Sequence, residues 1–217
     1  MSEENQLIVL PDSALAQKFD DDSFDKMAGS TYLPRLQLMT SNADVCKSGQ
    51  FPINTYALVS GTTHIDVGKE VDVLIVAWRP KALDINEGVI SCFDPSDAEF
   101  SRIQQKSEEP NSGCMYGPEF LVYVPSQEKF ATFFMGTKSS RRESPNVKAR
   151  LQNSATLTSR LIETAKFSWY APCCKPCSTP FTLPDMSDVI TEVEKFNNPP
   201  KQVVETVDES ETEERPR

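Results

Sequence analysis

The chain has 217 residues, 38% of them apolar, with a net charge of −10 and a mean hydropathy of −0.42. That length fits one large domain with appendages, and roughly 160 to 180 ordered residues bury about two thirds of the surface they expose when unfolded. No apolar run nears the roughly 20 residues of a membrane-spanning helix, the acidic start MSEENQLIVL lacks the pattern of a secretory signal, and a single histidine, His64, excludes a multi-histidine metal site.

Residues 1–30 carry seven acids against two lysines and read as an acidic arm. A β-rich domain is expected from 31 to 198. The stretch 34–40 alternates apolar and polar residues, the mark of a half-buried strand. After the turn residues Lys47, Ser48, Gly49 and Gln50 comes a second strand over 53–59, and 62–67 pairs back across Ser60-Gly61. The strongest strand pattern, 70–78, begins by alternating and ends continuously apolar, which predicts cover on both faces of its later half. Arg79-Pro80 is expected to stop it. A short strand over 89–93 precedes Asp94-Pro95-Ser96-Asp97, which predicts a helix start running to about Lys106.

The apolar runs 118–124 and 129–135 flank a four-residue connection, a hairpin pattern. A basic loop over 138–143 follows, then Ser144-Pro145 as the start of a short helix to about Asn153. From Leu157 to Trp169 the pattern fits a long twisted strand or a helix that gives way to one, with strand preferred over 166–171. Residues 172–184 form a Pro/Cys/Thr-rich connection, and 186–196 a helix with Val189, Ile190 and Val193 on one face. Residues 199–217 are acidic, lack a core pattern and read as a disordered tail. Six to eight strands with two or three short helices define a mainly β (α+β) class. An OB-like Greek-key barrel with additional strands is the expected architecture.

The chemistry points to binding rather than catalysis. No P-loop, GxGxxG, HExxH or GxSxG pattern is present, and no catalytic residue is assigned. Cys173, Cys174 and Cys177 form a CxxC knuckle, but structural zinc needs four ligands, and Cys46, Cys92, Cys114 and His64 are remote in sequence. Reduced thiols, no metal and no cofactor are expected. Asp66 and Asp72, near His64, read as strand-edge solubility.

The charge distribution is more telling than its sum. Between Lys138 and Lys166 lie seven bases against two acids. Single-stranded nucleic acid needs cations that follow phosphates and aromatic faces that stack on bases. Lys138, Arg141, Arg142, Lys148, Arg150, Arg160 and Lys166 are the candidate phosphate contacts, with Phe133, Phe167 and Trp169 as stacking residues. On a strand, Phe167 and Trp169 share a face while Tyr170 points away, and Tyr123 on the neighbouring hairpin extends the aromatic set. The plainer alternative is that strand aromatics fill the core. Glu205, Asp208, Glu209, Glu211, Glu213 and Glu214 form an anionic strip that can occupy a basic groove, recruit proteins or simply solubilise.

This organisation resembles the single-stranded DNA-binding proteins of tailed bacteriophages, over about residues 32–196 plus the tail. The resemblance rests on the strand set from Arg35 to Trp78, the basic-aromatic stretch from Phe130 to Trp169, and Glu205 to Glu214. It implies an OB-type barrel and sequence-tolerant binding of single-stranded DNA in replication or recombination. It also implies contacts with replication or recombination proteins through the tail, a cytoplasmic location (host cytoplasm for a viral chain) and no membrane. Tails of that family often end in an aromatic residue; this one ends Glu213-Glu214-Arg215-Pro216-Arg217, which favours self-masking over docking. The competing expectation is a virion structural or assembly protein that forms a homo-oligomer through its aromatics. A third is an enzyme built on Cys173 to Cys177.

Overall fold

The computed structural model describes residues 33–86, 90–109, 111–165, 167–177 and 181–198, and their strands join a single mixed sheet. The expected acidic arm (1–30) and acidic tail (199–217) lie outside the described residues. The first half contains β1 (Arg35–Leu38), α1 (Asp44–Lys47), β2 (Tyr56–Ser60), β3 (Thr63–Gly68), β4 (Val71–Asp84), β5 (Ile90–Cys92) and α2 (Ala98–Lys106). The second half contains β6 (Cys114–Val124), β7 (Lys129–Phe134), α3 (Lys138–Lys148), β8 (Ser154–Glu163), β9 (Ser168–Pro176) and α4 (Met186–Asn197). The expected β-dominated class is what the chain adopts.

The strand order is β3-β2-β1-β7-β6-β4-β8-β9, with β5 on β4, and β1–β7 is a parallel pair in an otherwise antiparallel sheet. The expected barrel does not close, because among the described residues β3 and β9 each pair on one side only. On β9, Pro172 and Pro176 lie opposite Ser159 and Ala155 and have no N–H to offer a further strand, which suits an edge. The sheet nevertheless coils until its two limbs meet. The Tyr56 hydroxyl on β2 donates to the Thr158 carbonyl on β8 at 2.7 Å, and Ser159 bonds to Asn54 beside it. Inside that curl Leu36, Leu58, Val73, Phe120 and Leu157 pack as one core from five different strands.

Alternation explains which faces are wet. On β2, Tyr56 and Leu58 enter the main core, while Ala57 and Val59 meet Met39 and Cys46 in a second cluster. The whole strand is therefore buried up to Val59, and one short α-helix suffices to cover its outer face.

Two expectations about β4 fail for one reason. Pro80 does not stop the strand, and its later half is not covered on both faces: Val76 and Ala77 are half-buried and Trp78 is 37% exposed. A register shift at Val76 kinks β4 against β6. Beyond it, β8 pairing has ended at Leu74 and β5 pairing starts only at Ala82, so Pro80 sits where one side of β4 lacks a ladder.

The expected basic loop at 138–143 is instead the first half of α3, which starts at the N-cap Thr137 and contains Pro145 internally. A mid-helix proline leaves the carbonyl four residues earlier without its donor. Here the Ser144 hydroxyl takes that place, donating to the Arg141 carbonyl at 2.8 Å. The ambiguous stretch after Leu157 resolves into the β8–β9 hairpin, and β9 runs through the first part of what reads as a Pro/Cys-rich connection.

Burial holds the Tyr56 phenol well above its usual range, with charge on Cys173 and Cys174 adding to the shift. An acid whose folded pKa is raised contributes stability below its unfolded pKa, about 10, and loses it as pH rises beyond that value. Tyr56→Phe is expected to cost about 1 to 2 kcal/mol at neutral pH, because the Thr158 carbonyl loses its donor. It should also flatten the loss of stability above about pH 10, so urea titrations at two pH values check both effects.

Candidate nucleic-acid interface

Helix α3 gathers the charge. Residues 138–150 hold five cations, Lys138, Arg141, Arg142, Lys148 and Arg150, against the single carboxylate of Glu143. Val147 and Ser140 are buried and seat the helix on the sheet. The remaining faces then divide by helical spacing.

One flank meets the β8–β9 hairpin. Trp169 donates from Nε1 to Ser139 Oγ at 3.3 Å, and Arg160 pairs with Glu143 at 2.5 Å. Tyr170, the next residue along β9, packs on the main core, so alternation places Trp169 and Tyr170 on opposite faces as expected. Phe167, just before β9, is 72% exposed, and Trp169 37%.

The other flank overlooks the kinked part of β4 and β6. Lys148 Nζ lies 3.8 Å from the centre of the Trp78 ring, and the Arg141 guanidinium 3.9 Å from that of Tyr116. Arg141 also donates to the carbonyls of Tyr116 and Gly136 at 3.1 and 2.8 Å and reaches Glu108 at 3.3 Å. It fixes α3 to β6 and is largely enclosed. By contrast, Lys138 and Arg142 are exposed and, among the described residues, have no carboxylate partner.

The sequence-derived set is therefore brought together in part. Lys138, Arg142, Lys148, Arg160, Phe167 and Trp169 line the outer surface of α3 and the hairpin beside it. Phe133 does not join them: it is 2% exposed, edge-on to Tyr56 inside the core, and has no face for a base. Arg150 is half-buried with its Nε enclosed, and its charge acts on the Cys174 thiol. Lys166 lies outside the described residues. Trp78 and Tyr116 were missed, although each sits two residues before a proline, at Pro80 and Pro118, on strands where those prolines pair. A proline inside an apolar run was the available signal that the run leaves the core.

Two further charged groups hold the platform. Glu119, whose side chain is 2% exposed, takes Arg79 and Lys81 at 2.6 Å each. Arg79 lies between the rings of Phe93 and Phe196 and also donates to the Phe196 carbonyl, which docks α4 on the face of β4 opposite Trp78. Asp84 on β4 binds Arg102 of α2 at 2.8 Å and accepts from Asn86. The Arg102 bond, helped by those from Asn86, lowers its carboxyl to about 2. The thiols of Cys173 and Cys174 are pushed up by burial, which disfavours the thiolate that metal binding or redox attack requires. Among the described residues no three His, Cys, Asp or Glu side chains come together as a metal ligand set, and no helix is long and apolar enough to cross a membrane.

No protein-family model, curated protein or solved structure matches this chain.

The depressed Asp84 pKa has a sign. An acid with a lowered folded pKa contributes stability above its unfolded value, near 4, and loses it as pH falls through about 2. Asp84→Asn is expected to lower stability at neutral pH and to flatten the acid limb between about pH 4 and 2, read by circular dichroism at a series of pH values.

Proposed function

We propose that this protein binds single-stranded DNA without strong sequence preference, with α3 as the phosphate-following ridge and aromatic rings on both of its flanks. The observation that carries the reading is the position of the two tryptophans. The chain has only Trp78 and Trp169, each is 37% exposed, and both lie against α3, the most basic segment of an acidic protein. In this reading Lys138, Arg142, Lys148 and Arg160 meet phosphates, while Trp169 and Phe167 stack on bases. The resemblance to phage single-stranded DNA-binding proteins supports a role in replication or recombination. It also supports competition by the acidic tail. The 19 residues from 199 to 217 follow α4 on the far face of β4. Fully extended, a chain of that length spans about 60 Å.

The test is a salt-titrated binding assay. Oligo-dT should quench tryptophan emission, with a log–log salt slope of about −0.7 per phosphate neutralised. Trp169→Ala should weaken binding by about 1 to 3 kcal/mol. Absence of quenching and of any mobility shift at low salt overturns the proposal. Removing residues 201–217 should tighten binding, and unchanged affinity would discard the tail's part.

A second reading, as a subunit of a homo-oligomeric assembly, draws on the edge position of β3 among the described strands, where Asp66 is the one charged residue between Thr63 and Gly68. Light scattering on the purified protein distinguishes it, since a concentration-independent oligomer would favour it.

A further inference from the structure

Of the residues that line the cleft between α3 and the kinked ends of β4 and β6, only Lys148 belongs to the sequence-derived candidate set. The cleft's volume is about 390 Å³, at the lower end of the roughly 300 to 1,000 Å³ that small-molecule sites occupy. Trp78 and Tyr116 form its walls, and the register-paired Pro80 and Pro118 lie between them. Lys148 is the one charged side chain among the lining residues. In a chain with a net charge of −10, a cleft lined by aromatic rings and a single cation is selective in kind. The larger cavity near β3 and β4, about 590 Å³, is lined by Glu70, Asp72 and Glu128 and repels anions.

The two ring faces differ in availability. Arg141 covers Tyr116 and is fixed there by two backbone carbonyls and Glu108. Lys148 covers Trp78 and, among the described residues, is held by the ring alone. An ammonium on an exposed ring face is a weak, displaceable contact. A planar ring can replace it on the indole, and the freed ammonium then has a phosphate within its own reach.

We propose that this cleft is a nucleobase subsite, in which one base of a single strand stacks on Trp78 while Lys148 moves from the ring face to an adjoining phosphate. The inference rests on the reading of α3 as the phosphate-following ridge, and it adds a second, separate stacking position on the opposite flank from Trp169. A strand bound this way crosses α3 rather than running along one side of it. Gln104, at the margin of the cleft on α2, is placed to meet the polar edge of the base.

Two single-tryptophan chains test this. Trp169→Phe leaves Trp78 as the only tryptophan, and Trp78→Phe leaves Trp169. Each is titrated with a labelled oligo-dT of about 12 nucleotides, within the roughly 4 to 16 that one such domain covers. Binding is followed by anisotropy and by protein emission. Both tryptophans are expected to be quenched over the same concentration range. Trp78→Ala is expected to weaken binding about tenfold, and Lys148→Met to reduce the magnitude of the salt slope by about 0.7. Binding that quenches Trp169 and leaves Trp78 unchanged overturns the subsite while the α3 reading stands. No anisotropy change in either chain overturns both. A Trp78 response to a proline-rich peptide, with none to oligo-dT, also overturns it and makes the cleft a peptide groove.

Discussion

The seam between Tyr56 and Thr158 is the constraint on which the rest of the architecture depends. A sheet that coils this far must either complete its ladder or hold its limbs together by other means. Here a phenol and a Ser–Asn pair do so. Because the limbs are joined by side chains and not by a ladder, β9 has a neighbour on one side only among the described strands, and the β8–β9 hairpin extends past the core. That extension brings Arg160 and Trp169 alongside α3. A fully laddered barrel would tie both edges of the hairpin into the sheet. The Tyr56 phenol donates as a neutral group throughout the physiological range, so the seam is a hydrogen bond between uncharged partners that salt screens little.

The second constraint is at the other end of the sheet. The β8 ladder ends at Leu74, just before β4 kinks at Val76, and beyond that point β4 is held from its two faces by other groups. Arg79, Lys81 and Glu119 do so on one side, with α4 capping them through the Phe196 carbonyl. On the other side α2 and α3 straddle the sheet without filling the space between them, and the cleft beside Trp78 is what remains. Gly117 shows how tight the junction is: a Cβ there would run into the Met135 carbonyl and press on the Arg141 side chain at 3.2 Å. The cleft is thus bounded by close-packed backbone, which suits a flat ligand better than a bulky one.

Much of the fold was legible in the sequence because most strands bury one face and advertise it by alternation. β1, β2, the β6–β7 hairpin and α4 all lie where the pattern places them. The misreadings share a cause. Proline was taken as a terminator at Pro80 and as a helix start at Pro145, and in both places local chemistry tolerates it: a missing neighbour strand in one, the Ser144 hydroxyl in the other. The candidate site was legible as charge, since Lys138, Arg141, Arg142 and Lys148 of the basic run fall on one helix. It was not legible as geometry. Nothing in the local pattern separates Phe133, which the curl of the sheet encloses, from Phe167, which the hairpin turn exposes. Both depend on how strands distant in sequence come together.

Two groups of cations among the described residues differ in their physics. Arg79, Lys81, Arg102 and Arg141 are matched to carboxylates or carbonyls at 2.6 to 3.3 Å and hold helices against the sheet. Partly buried pairs at such distances are screened little by salt. Lys138, Arg142 and Lys148 stand on the outer turns of α3, and among the described residues no carboxylate meets them. This second group, being exposed, responds to ionic strength, over a screening length of about 8 Å in physiological salt. The separation has a consequence for an acidic protein. Bulk charge of −10 repels a polyanion at long range. Within a screening length, however, the five cations of residues 138–150 outnumber their single carboxylate, and the Arg141 contacts hold that helix to β6. The same internal pairing that fixes the fold is what leaves the ridge its unpaired charge.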